Sequence, residues 1–134
     1  MTAPAGSAPT DEIRGRIDDI EEAYEFFLAY AAQGLSGDKG SKAGGQLRHF
    51  LGTMAEALDG LGGSVGRACA GMEPAGPWQE LCAVVERDAQ AALAALRLVA
   101  AQPSVSSQLV DNLNAGIHLR AVLTDLFLVD ELLG

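Results

Sequence analysis

From Ile13 onward, apolar residues return at intervals of four and three: Ile13, Ile17, Ile20, Tyr24, Phe27 and Ala31. That spacing keeps one face of an α-helix apolar and predicts a helix from Asp11 to about Gln33, with Leu28 and Leu35 widening the stripe. Thr10 is placed to cap it, Asp11 and Glu12 would sit in a first turn that favours acids, and Gly34 supplies a stop. The opposite face is acidic, with Asp18, Asp19, Glu21, Glu22 and Glu25. Residues 1–9, built from Pro, Ala, Gly and Ser with Met1 and Thr2, are expected to form a flexible tail ahead of a helical domain over 10–134.

A second seam, Leu47, Phe50, Met54, Leu58 and Leu61 with Leu51 beside it, predicts a helix from near Ser41 to about Gly60, after a loop over Gly37–Gly40. A polar stripe runs along it: Lys42, Gln46, His49, Thr53 and Glu56. Gly44, Gly45 and Gly52 interrupt this helix, each at a cost of about 1 kcal/mol against Ala. Close approach of another backbone and local mobility both fit them. Residues 60–77 carry repeated glycines with Pro74 and Pro77 and read as a long connection, holding at most a short helical turn around Val65 to Cys69.

The third helix should start at Pro77 or Trp78 and end near Ala101, before Pro103, on the seam Trp78, Leu81, Val85, Ala89, Ala92, Leu96 and Val99. The fourth should follow Pro103, with Ser104 as cap, and continue almost to Gly134. Its second half is apolar nearly all round. A helix of that kind is either central or shared with another chain, so Leu119, Val122, Leu126, Phe127 and Val129 are the expected self-association face of a homodimer. Four helices joined mostly by short loops imply an all-α fold: an antiparallel four-helix bundle with a Gly-rich connection between helices 2 and 3.

Composition narrows the picture. Aromatic residues make up only 5% of the chain, so Leu, Val, Ile and Ala must fill the core. The net charge of −9 would repel a phosphate backbone or an anionic membrane leaflet, which argues against nucleic-acid and membrane partners. It favours a basic protein partner, for which Asp18, Glu22 and Glu25 form the candidate docking face. The longest uncharged apolar stretch, Leu98 to Val110, is broken by Gln102, Pro103 and serines, and falls short of the roughly 20 residues that span a bilayer. Residues 1–9 lack the features of a secretory signal, so a cytoplasmic location is expected. In that setting Cys69 and Cys82 read as small buried hydrophobes and not as a structural disulfide.

Candidate chemistry is sparse. A carboxylate-bridged metal site needs Glu-x-x-His, but Gln46 and Ala115 precede His49 and His118 at that distance. No metal or cofactor is therefore expected. His49 and His118 both fall on polar stripes, the latter with Asp111, Asn114 and Asp125, and are expected to be solvated. Gly37–Lys42 lacks the spacing and preceding strand of a phosphate-binding loop. Ser104, Ser106 and Ser107 suit capping. The acids of helix 1 share one wet environment, unlike a catalytic pair.

The stretch His49-Phe50-Leu51-Gly52-Thr53-Met54-Ala55 resembles the motif of histidine phosphotransfer domains, where an exposed histidine lies midway along a bundle helix with small residues behind it. The resemblance covers seven residues. Leu51 matches the apolar position, Gly52 falls one place early and the basic residue is missing. It implies that His49 would accept a phosphoryl group from a partner's aspartyl phosphate. The expected function is that of a non-enzymatic interaction or assembly protein. The alternatives are phosphotransfer at His49, and a ligand- or cofactor-binding bundle with a cavity between the glycines of helix 2 and the alanines of helix 3.

Overall fold

The computed structural model describes residues 8–134. Of the tail expected over residues 1–9, residues 1–7 lie outside them, and Ala8 and Pro9 belong to the first helix instead. The described residues hold six helices and no strand: α1 (Ala8–Ala31), α2 (Lys42–Leu58), α3 (Leu61–Ala68), α4 (Ala75–Ala100), α5 (Ser107–Ala115) and α6 (Ile117–Leu133). α1 and α4 each pack against α2, α3, α5 and α6, so the core lies between these two long helices. None of these helices is long and apolar enough to cross a membrane.

α1 begins before the expected cap, leaving Thr10 inside its first turn. Its buried seam is Ile13, Ile17, Ile20, Ala23, Phe27 and Tyr30. Ile13, Ile17, Ile20 and Phe27 are the positions read from the sequence, while Ala23 and Tyr30 replace the expected Tyr24 and Ala31. Tyr30 rather than Ala31 turns inward, where its hydroxyl donates to the Val105 carbonyl. Tyr24 and Ala31 are half-buried at the edge of the core. Gly34 adopts the left-handed conformation beyond the helix end, with φ 68°.

α2 starts where expected, and Ser41 caps it, its hydroxyl accepting from the Gly44 amide at 2.9 Å. Gly44 is buried, and a Cβ there would lie 1.6 Å from the Asp38 carbonyl oxygen. Only glycine lets the loop cross at that point. The loop residue Asp38 is itself the hub of a buried clamp. Its carboxylate accepts from Arg48 Nε at 2.8 Å and from the Val105 amide at 2.6 Å. Arg48 also donates to the carbonyls of Ala100 and Gln102. Tyr30 donates to the Val105 carbonyl at 2.8 Å, and Ser107 donates to the Tyr30 carbonyl at 2.7 Å. This network ties the α1–α2 loop to the α4–α5 loop. The Arg48 hydrogen bonds hold the Asp38 carboxyl down at about 2, against the opposing effect of its burial.

The Gly-rich connection is more regular than expected, since α3 occupies its first half. Gly60 turns the chain with φ 72°, and α3 then settles against α4 and α1, burying Leu61, Ser64 and Val65. A Cβ on Gly62 would meet Glu86 Cβ at 2.4 Å, so glycine sets the closeness of α3 to α4. The expected fourth helix is two helices. Ser106, not Ser104, caps α5 by accepting from the Leu109 amide. The chain then breaks at Gly116, whose backbone is extended at ψ 158°. The break redirects the chain: α5 packs chiefly on α1, and α6 chiefly on α4.

Candidate functional site

The break at Gly116 decides which faces of α6 remain open. Leu119, Val122, Leu126 and Val129 recur at intervals of three, four and three and are buried in the chain's own core. Four of the five residues expected to form the self-association face are thus already covered. Their burial needs no second chain, because α4 and α1 supply the neighbours. Phe127 alone of the five is exposed, at 59%, and Leu128 (50%) and Leu132 (54%) join it on the outer side.

These exposed residues border two grooves. Between α1 and α6, Glu21, Tyr24, Glu25, Arg120, Leu123, Thr124 and Phe127 line a space of about 360 Å³. Between the start of α4 and the end of α6, Pro74, Pro77, Trp78, Leu81, Leu128 and Leu132 line one of about 270 Å³. The second lining contains no ionisable side chain. α4 and α6 run antiparallel here, since the beginning of one meets the end of the other.

Asp18, Glu22 and Glu25 are exposed on α1. Glu21, beside them, is half-buried. Desolvation, with the nearby charges of Asp18, Asp130 and Glu25, raises its carboxyl above the ordinary range. His49 is exposed on α2 and meets Phe50 edge-on at 5.2 Å between ring centroids. Gly45 and Gly52 lie four residues before and three after it, on the same side of the helix. A Cβ at either would meet nothing within 4 Å. Both glycines are exposed, whereas Ala89 and Ala92 of α4 are fully buried.

His118 is exposed, but the polar stripe expected around it is not a solvated one. Asn114 is buried on α5 with neither side-chain polar atom partnered, and Asp125 is half-buried on α6 with Oδ2 sealed from solvent and unpartnered. Gly116 separates the two helices, so a periodicity drawn through both does not describe one face. Desolvation, reinforced by the hydrogen-bonded and like-charged Asp88 of α4, pushes the Asp125 carboxyl up to about 7.

The two cysteines meet. Cys69 closes α3, Cys82 lies on α4, and their sulfur atoms are 3.7 Å apart. Both border a groove of about 400 Å³ with Gly66, Met72, Trp78 and Gln79. Burial, and then the neighbouring Cys69, push the Cys82 thiol up to about 11. A separation of thirteen residues carried no local signal for this meeting. Among the described residues, no group of three or more His, Cys, Asp or Glu side chains is arranged to hold a metal ion. Comparison with known protein families, curated proteins and solved structures finds nothing that matches this chain.

Proposed function

We propose that this protein is a helical assembly module that pairs with a second copy of itself through the edge where the start of α4 meets the end of α6. The carrying observation is the uncharged groove of Pro74, Pro77, Trp78, Leu81, Leu128 and Leu132, with Leu128 and Leu132 half-exposed at its rim. Exposed apolar side chains gathered around one groove favour association over solvation. A chain with net charge −9 repels its own copy over most of its surface, and an uncharged apolar edge is where that repulsion is weakest. Ridge and groove lie side by side on one edge, which suits a two-fold contact in which each copy inserts into the other. In this reading the architecture is an antiparallel four-helix bundle whose fourth limb is broken at Gly116 and whose second connection carries α3. The acidic face of Asp18, Glu22 and Glu25 points away from the core and is left for a basic protein partner.

The test is the molar mass in solution, by light scattering after size exclusion, of the parent chain and of Leu128→Glu/Leu132→Glu. The parent is expected at twice 13.9 kDa. The variant should run as a monomer with unchanged far-ultraviolet circular dichroism, since both side chains are already exposed. A parent chain that stays monomeric at millimolar concentration, or a folded variant that stays dimeric, rules this edge out as the interface.

A second reading is favoured by Gly45 and Gly52. Packing within the chain does not call for either glycine, yet they flank exposed His49 and leave its side of α2 free of side-chain bulk. That suits a partner that must bring an aspartyl phosphate to the imidazole. Phosphoryl transfer from a phosphorylated receiver domain, lost in His49→Gln, would support phosphotransfer. Unmodified His49 after incubation with receiver domains of the same host would remove it.

A further inference from the structure

The chain has two cysteines, and the fold places them in contact. The local cause is α3. Its small residues at Gly62 and Gly66 let it lie close on α4, where a Cβ at Gly66 would be 4.0 Å from Cys82 Sγ. Cys69 sits at the end of that helix, its amide donating to the Val65 carbonyl at 3.0 Å and its sulfur 3.6 Å from the Gly66 carbonyl oxygen. Packing as two small hydrophobes would account for burial. It would not account for the meeting of the only two thiols, nor for their position along a groove that a thiol reagent can enter. The sulfurs need to close from 3.7 Å to about 2 Å to bond.

We propose that Cys69 and Cys82 form a reversible dithiol–disulfide couple, oxidised by a small disulfide of the glutathione type that enters the groove beside Met72 and Trp78. One thiolate of the pair attacks a sulfur of oxidised glutathione, breaking its S–S bond and releasing one glutathione thiolate, which takes up a proton. The second protein thiol loses its proton and attacks the mixed disulfide at the first cysteine, releasing the second glutathione. Two protein thiols become one disulfide, and one oxidised glutathione becomes two reduced ones. The raised Cys82 thiol makes the exchange slow near neutrality and faster as pH rises, because only the thiolate attacks.

The experiment equilibrates the folded full-length chain in buffers of graded reduced-to-oxidised glutathione, quenches with acid, alkylates free thiols and reads intact mass. Trp78, the chain's one tryptophan, lines the same groove and reports closure by quenching of its emission. The expected product is a single covalent chain lighter by two hydrogens, closed to alkylation, and reopened by dithiothreitol with recovery of Trp78 emission. Cys82→Ser, which keeps the side-chain size, should give only unreacted chain or a glutathione adduct. Three outcomes overturn the proposal while circular dichroism shows a folded chain: both thiols still alkylated in oxidised glutathione, a stable glutathione adduct on the parent that never closes, or a disulfide only between chains. None of these depends on the edge proposed for pairing.

Discussion

Asp125 makes the energetics of the α4–α6 contact measurable. An unfolded chain releases the Asp125 proton near the ordinary value of 3.8, whereas the folded chain holds it to about 7. Between those values the folded state binds more protons than the unfolded state, so this group's contribution to stability is full below about 3.8 and declines as pH rises to about 7. At about 1.4 kcal/mol for each pH unit crossed, the whole span would correspond to about 4 kcal/mol. Asp125 is only half-buried, and water reaching the carboxylate screens it, which reduces the expected effect to about 1–2 kcal/mol. Asp125→Asn keeps the size of the side chain and removes the titration. Urea unfolding of parent and variant at about pH 4 and about pH 8 should show the variant gaining about 1–2 kcal/mol on the parent between the two conditions. Asp88→Asn, which removes the like charge opposite, should give a smaller gain of the same sign. A stability difference between Asp125→Asn and the parent that is the same at both pH values would refute the reasoning, whatever its size.

Further expectations concern the glycines, the clamp and the caps. Gly44→Ala places a methyl 1.6 Å from a backbone carbonyl and should destabilise by more than about 2 kcal/mol in denaturant titration. By contrast, Gly52→Ala meets open space and should stabilise by about 0.5–1 kcal/mol. Asp38→Ala takes the carboxylate from the Val105 amide and from the partly exposed Arg48, which keeps the Ala100 and Gln102 carbonyls, and should cost about 1–3 kcal/mol, read as a fall in the denaturant midpoint at neutral pH. Because the Asp38 carboxyl is held at about 2, its contribution is retained above 3.8 and should be lost only as pH falls towards 2, visible as acid unfolding of the parent there. Ser41→Ala and Ser106→Ala each remove a side-chain acceptor at a helix start and should cost about 1 kcal/mol apiece in thermal or urea melts.

Much of the helical plan was legible because helix signals are local. The start of α2 near Ser41, the α4 seam through Val85, Ala89, Ala92, Leu96 and Val99, and the exposure of His49, Asp18, Glu22 and Glu25 all follow from local signals over a few turns. The α1 seam was legible at Ile13, Ile17, Ile20 and Phe27, whereas Ala23 and Tyr30 take the places of Tyr24 and Ala31, because which neighbour at the edge of an apolar stripe is covered depends on what packs against it. Residues 60–77 looked irregular because glycine is a poor helix former in isolation. In α3, contact with α4 and α1 outweighs that cost, and at Gly62 the contact requires it.

The sequence by itself determined that the described chain is helical, about where α1, α2 and α4 begin and end, and that the acidic face of α1 meets water. These are consequences of capping, periodicity and the cost of burying charge. Only the tertiary structure decided the rest. The turn at Gly116 sends α5 to α1 and α6 to α4, which buries Leu119, Val122, Leu126 and Val129 and leaves Phe127, Leu128 and Leu132 outside. The pairing of Asp88 with Asp125, the clamp on Asp38 and the meeting of Cys69 with Cys82 join residues 10 to 67 positions apart in the chain. No periodic pattern encodes such contacts, since they depend on how whole helices lie against one another and on the small residues that set how closely they approach.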